Sequence, residues 1–131
     1  MNNIVLDKKV ALTYNPIVLA YVGDAVLEVY IRERLAASGI SDTGRLSAMA
    51  QTLVCAEAQS DRLEALFPLL TEEENGIYLS ARNHKTKTTP KHSTPAQYHR
   101  ATGFEAIFGF LYLSGDAERA KSLFSAAYPD I

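Results

Sequence analysis

The sequence predicts an all-α fold, and three observations carry that prediction. No run alternates polar and apolar residues with the period of two that a half-buried strand needs. Helix-start signals recur instead. Asn15-Pro16 and Thr94-Pro95 each set a capping side chain before a proline suited to the first helical position, and Thr71 with Glu74 forms a capping box. The apolar runs Ile17 to Ile31 and Ala101 to Leu113 read as two central hydrophobic helices around which the others pack.

The first long helix starts at Asn15-Pro16, continues through "RERL" to about Ala37, and ends at Ser38-Gly39. A second is expected from about Asp42 to Leu66, with Leu46, Met49, Ala50, Leu53, Val54, Ala56 and Ala58 approximating its apolar stripe. Gln59-Ser60-Asp61 is the expected break within it, and Pro68 stops it. The Thr71 cap opens a short helix to about Arg82. "NHKTKTTPKHS" contains no apolar residue and reads as a loop. The Thr94-Pro95 helix runs through Leu113, and Ser114-Gly115-Asp116 separates it from a last amphipathic helix ending near Ala127.

A chain of 131 residues, 47% hydrophobic and 21% charged, suits one domain spanning residues 1–131 with a real core. Its one cysteine, Cys55, excludes an intrachain disulfide, which fits a reducing compartment; the setting "TLVCAEA" favours a small buried hydrophobe over a nucleophile. The N-terminus lacks the apolar run of a signal peptide, and no segment reaches the roughly 18 to 20 apolar residues of a membrane span. A soluble, cytoplasmic protein is expected.

The net charge of −2 conceals an asymmetry. From Asn75 to Phe104 there is no Asp or Glu, but there are Arg82, Lys85, Lys87, Lys91 and Arg100, with His84, His92 and His99. A basic segment in an acidic protein is either a local anion-binding surface or a solvated loop. A zinc site is disfavoured, because His84 and His92 have no further ligand nearby. The Thr, Ser and Asn residues of the loop, with its Lys and Arg, suit contacts to a phosphate backbone rather than to bases.

The two apolar runs contain unexpected acids. Asp24 and Glu28 are the only charges in the first run and Glu105 is the only one in the second. An unpaired buried carboxylate costs several kcal/mol. Glu28 has a plain structural partner in Arg32 at i+4. Glu105 has no basic residue on its own face. Gly23, Gly103 and Gly109 lie beside these acids, and helical glycines allow close backbone approach at about 1 kcal/mol each. Helices crossing at those glycines would bring Asp24 and Glu105 together, and two carboxylates share a site comfortably only around a cation. Oxygen-only ligation points to Mg²⁺, with Mn²⁺ as a substitute, and to phosphodiester hydrolysis. The competing reading makes both acids ion-pair partners at helix ends or interfaces.

"YNPIVLAYVGDAVLEVYIRERL" resembles the signature helix of the ribonuclease III superfamily. Together with "ARNHKTKTTPKHSTPAQYHRATGFEAIFGFLYL" it is similar to the short Mini-ribonuclease III branch, over roughly Asn15 to Phe124. The resemblance implies a ribonuclease III catalytic-domain-like helical fold, and a homodimer that cleaves double-stranded RNA with Mg²⁺ to leave 5′-phosphate and 3′-hydroxyl ends. It also implies a role in maturing large-subunit (23S) ribosomal RNA. It puts the catalytic, metal-binding aspartate at Asp24 and the late glutamate at Glu105. Two acids of full-length relatives are replaced here by Ala20 and Thr102, which favours a looser metal site completed by water and phosphate. There is no room for a separate double-stranded-RNA-binding domain, so the segment holding Arg82, Lys85, Lys87, Lys91 and Arg100 is expected to supply the RNA grip. For the homodimer, Tyr21, Phe104 and Phe108 are the interface candidates. A ribosomal protein or pre-ribosomal particle is left open as a further partner.

Two other functions compete. One is a non-catalytic RNA- or ribosome-binding module, motivated by the two missing acids and opposed by retention of both Asp24 and Glu105. The other is an all-α nucleotide hydrolase, which calls for more carboxylates than the chain offers.

Overall fold

A computed structural model describes residues 4–85 and 92–131. They form α1 (Lys8–Ala11), α2 (Pro16–Ala37), α3 (Thr43–Val54), α4 (Ala56–Arg62) with a 3₁₀ turn at Leu63–Ala65, α5 (Glu72–Arg82), α6 (Pro95–Leu113) and α7 (Ala117–Ala127). No strand occurs among the described residues. The expected starts are where the sequence puts them. Asn15 accepts from the Ile17 N–H at 2.8 Å, and Thr71 with Glu74 and Thr94 with Gln97 close two full capping boxes. Gly39 (φ 89°) and Gly115 (φ 80°) take the left-handed backbone that follows α2 and α6.

One boundary differs from expectation. The break in the second helical stretch falls at Cys55, whose backbone is extended (φ −62°, ψ 156°), and not at Gln59-Ser60-Asp61. Gln59 and Ser60 are buried within α4. Their polarity looks like a helix interruption in sequence, but they face α6. There Arg100 Nε donates to Ser60 Oγ (2.8 Å), and its Nη2 to the Ser60 carbonyl (2.9 Å) and to Glu64 (2.6 Å).

Helix α6 is the axle of the fold. It packs against α2, α4, α5 and α7, and every residue from Ala101 to Leu111 except Glu105 is buried. An almost fully apolar circumference is what a helix surrounded by others requires. Phe104 and Phe108 stack edge to face at 5.1 Å inside the monomer core, with Leu19, Leu27, Ile31 and Ile107. This corrects the expectation that Phe104 and Phe108 serve an intersubunit contact. Tyr21 is the opposite case, 80% exposed on α2.

The α2–α6 crossing is set by two glycines. A Cβ on Gly23 would overlap the Glu105 carbonyl, and one on Gly109 would overlap the Leu19 carbonyl. Any side chain at either position would separate the helices. Gly103 does not belong to this crossing. Its missing side chain makes room for the Tyr78 ring on α5, which a Cβ would approach to 2.5 Å.

Candidate active site

Because Gly23 and Gly109 bring the backbones of α2 and α6 into contact, Asp24 of α2 and Glu105 of α6 meet side by side. Asp24 is close enough to act directly on the Glu105 carboxyl. The environments differ. Asp24 is exposed, whereas Glu105 is half-buried where α6 is otherwise covered. Burial pushes the Glu105 carboxyl well above the usual carboxylate range, Asp24 pushes it further, and the Gln59 amide offsets only part of the rise. Two carboxyls so placed repel each other unless a cation lies between them.

Glu105 also opens onto a cavity of about 490 Å³ between α3, α4 and the N-terminal half of α6. Gln59 and Thr102 line it near Glu105, Glu57 lies on the α4 side, and His92 and Tyr98 on the other. Thr102 adds no negative charge, and its Oγ1 donates to the Tyr98 carbonyl one turn back at 2.9 Å. Ala20 is buried and offers no donor. Among the described residues no group of three or more His, Cys, Asp or Glu is arranged to hold a metal. Two facing carboxylates with one side open nonetheless fit Mg²⁺, which takes one or two protein carboxylates and fills its shell with water and phosphate oxygens.

The remaining candidates separate cleanly. Glu28 accepts from Arg32 Nε at 3.1 Å, the i+4 pair its spacing implies. Cys55 is half-buried at the cavity wall, not in the core, with Sγ 3.9 Å from the Thr52 carbonyl. Arg100, expected to grip RNA, instead has its guanidinium engaged by Ser60 and Glu64 and lies 5.5 Å from the Phe67 ring centroid. It fastens α4 to α6. Arg82 lies over the Tyr78 ring at 5.6 Å and donates to Asn83 at 3.0 Å. Lys85 is exposed, His84 half-buried and His92 exposed. Lys87 and Lys91 lie outside the described residues.

Sequence reasoning missed Gln59. The available signal was its register: Gln59 precedes Leu63 by four residues on the buried stripe of α4, a position where an apolar side chain is the ordinary choice.

No helix of the described residues is long and apolar enough to cross a membrane. The ribonuclease III domain model matches residues 17–116, which includes both Asp24 and Glu105. Mini-ribonuclease 3 of Symbiobacterium thermophilum is 44% identical over 116 residues, covering 88% of this chain and 89% of the relative. Mini-ribonuclease 3 of a Thermoanaerobacter species is 40% identical over 122 residues, covering 93% and 86%. A crystal structure of a Fusobacterium nucleatum protein superposes with a TM-score of 0.80 at 31% identity, covering 89% of this chain and 93% of that one. With an all-helical fold, a matched domain that contains both acids, and relatives alike over nearly their full length, the chain belongs to the ribonuclease III domain family, in its Mini-ribonuclease 3 branch of endoribonucleases.

Proposed function

We propose that the chain is a cytoplasmic, Mg²⁺-dependent endoribonuclease of double-stranded RNA that works as a homodimer, leaves 5′-phosphate and 3′-hydroxyl ends, and matures the 23S ribosomal RNA precursor. Asp24 and Glu105 are the metal-binding catalytic pair. The observation that carries this reading is their juxtaposition at the Gly23–Gly109 crossing, with no basic partner for Glu105 among the described residues. A purely structural acid would be paired with a cation of the chain, as Glu28 is. When bound, Mg²⁺ supplies an activated water and neutralises charge developing on the phosphate. The protein's part is placement. Glu105 is held by the rigid centre of α6, Asp24 faces solvent from which the RNA backbone approaches, and the adjoining cavity leaves room beside the pair.

Homodimerisation has support in an apolar face of α2. Val18 (44% exposed), Tyr21 and Val29 (53%) lie along one side of the helix, continued by Tyr112 (46%) from α6. An apolar groove of about 210 Å³ runs between Ala25, Val29 and Tyr112. A patch of this kind suits a second copy, and two sites related by a two-fold axis cut both strands of a duplex. Lys85, Lys87 and Lys91 supply phosphate contacts, and Arg82 stands at the end of α5.

The test is cleavage of duplex RNA, single-stranded RNA and nucleoside triphosphates with Mg²⁺ or EDTA. Duplex cleavage alone, abolished by EDTA, is the expected result. Duplex binding without cleavage would make the protein a binding module instead. For the basic segment, replacing Lys85, Lys87 and Lys91 with Ala should flatten the salt dependence of duplex binding in Ca²⁺ and raise KM more than it lowers kcat. Identical salt slopes would place the RNA grip elsewhere.

A further inference from the structure

Gln59 is 2% exposed, and its Nε2 has no hydrogen-bond partner among the described residues. A buried amide donor left in that state costs about 1–3 kcal/mol. Methionine or leucine would continue the apolar stripe of α4 without that cost. The amide is not adrift in the core, since Gln59 and Glu105 line the same cavity. Its backbone is fixed too. The next residue, Ser60, takes two hydrogen bonds from Arg100, and Glu64 takes a third. Arg100 thus fastens the segment carrying Gln59 to the helix carrying Glu105, one and a half turns before that glutamate. The chain bears a cost at one buried position and spends structural contacts to hold that position against its active carboxylate.

The geometry points to Gln59 as the positioning residue of the metal site: with a cation bound, its unpartnered side-chain amide donates to one oxygen of the Glu105 carboxylate and leaves the other for the cation shared with Asp24. This rests on the Asp24–Glu105 reading above. A neutral donor suits the task. A lysine here would compete with the cation for both carboxylates, and a third carboxylate would add to the repulsion. Gln59 fixes the Glu105 rotamer while leaving the net charge of the site unchanged. Residues that orient a ligand in this way typically contribute roughly 10- to 100-fold in metal affinity or activity.

The test uses the full chain without RNA, with Mn²⁺ as the probe and its free fraction read by electron paramagnetic resonance. Q59L removes the donor at similar volume, and Q59M, of the same length, is the second variant should Q59L not fold. Both are expected to melt at or above the wild-type temperature and to bind Mn²⁺ roughly 10-fold more weakly. Excess Mn²⁺ should restore their turnover, and KM for duplex RNA should stay as in wild type. E105Q runs beside them as the reference for the metal site. Wild-type Mn²⁺ affinity in the Gln59 variants, with affinity lost in E105Q, would overturn the role of Gln59 alone. Wild-type Mn²⁺ affinity in E105Q would overturn the metal site and the role of Gln59 with it.

Discussion

Glu74 and Glu105 are both glutamates on the inward side of a helix, and they have opposite fates. Glu74, 3% exposed, receives Arg119 Nε at 2.9 Å, Arg119 Nη2 at 2.8 Å and the Thr71 N–H at 2.9 Å. Burial alone would raise its pKa, but the Arg119 and Thr71 hydrogen bonds outweigh burial and bring it below the usual value. Glu105 is likewise desolvated, but its neighbour is Asp24, and its pKa goes well up. The residue type is the same, and a partner of opposite or like charge decides the outcome. Glu74 joins the N-terminus of α5 to α7. Glu105 has no such partner among the described residues, and the proposed function gives it a cation from outside the chain.

The largest effect that could break this contrast is catalytic. E105Q and D24N should each lower duplex cleavage by at least about 10³-fold, the loss expected when roughly 4 kcal/mol of transition-state stabilisation goes. E74Q should cleave at the wild-type rate per folded molecule. Near wild-type cleavage by E105Q or D24N in a single-turnover assay would remove that residue from the mechanism.

Stability should show the reverse ranking. E74Q should cost about 2–3 kcal/mol in urea unfolding, toward the lower end because Arg119 keeps some solvent contact. E105Q should gain about 1 kcal/mol in metal-free buffer, since it removes a desolvated, repelled charge. A matching loss in both variants would mean that Glu105 is also a structural acid.

The pH dependence sharpens the same point. The folded pKa of Glu74 is depressed from 4.5, so its stabilisation is complete above that value and is lost as pH falls through the folded pKa. The folded pKa of Glu105 is raised from 4.5, so metal-free protein should lose stability as pH rises from there through the folded value. E105Q should flatten the second slope and leave the first, as measured by urea midpoints across pH. The smallest effect belongs to Glu28. Its pair with Arg32, whose side chain is 73% exposed, should be worth only about 0.3–0.5 kcal/mol, so E28Q should shift melting little and activity not at all.

Much of this was legible in the sequence because local rules governed it. Asn15, Thr71 and Thr94 announce their helices through caps that need no tertiary information. The α2–α6 crossing was readable because glycine in an apolar helix has few other uses, and lone acids beside those glycines marked the site. What escaped depended on partners distant in sequence. Gln59 and Ser60 read as a break because their polarity is visible and the Arg100 side chain forty residues away is not. The same contact withdrew Arg100 from the set of RNA-gripping cations. Gly103 looked like part of the crossing until Tyr78 was seen against it. Phe104 and Phe108 looked surplus to a monomer because the helices that pack around α6 are distant in sequence. Helix α1 was overlooked because four residues give no periodicity.

The central claim is that Asp24 and Glu105 form a cation site and not a structural pair. Thermal melting of wild type and E105Q, each with EDTA and with Mg²⁺ at about ten times its dissociation constant, tests this without RNA. Wild type should gain about 1.4 kcal/mol from Mg²⁺, a rise of about 5 °C. E105Q should begin above wild type in EDTA and gain nothing from Mg²⁺. An equal rise in both proteins, or none in wild type, would contradict the account.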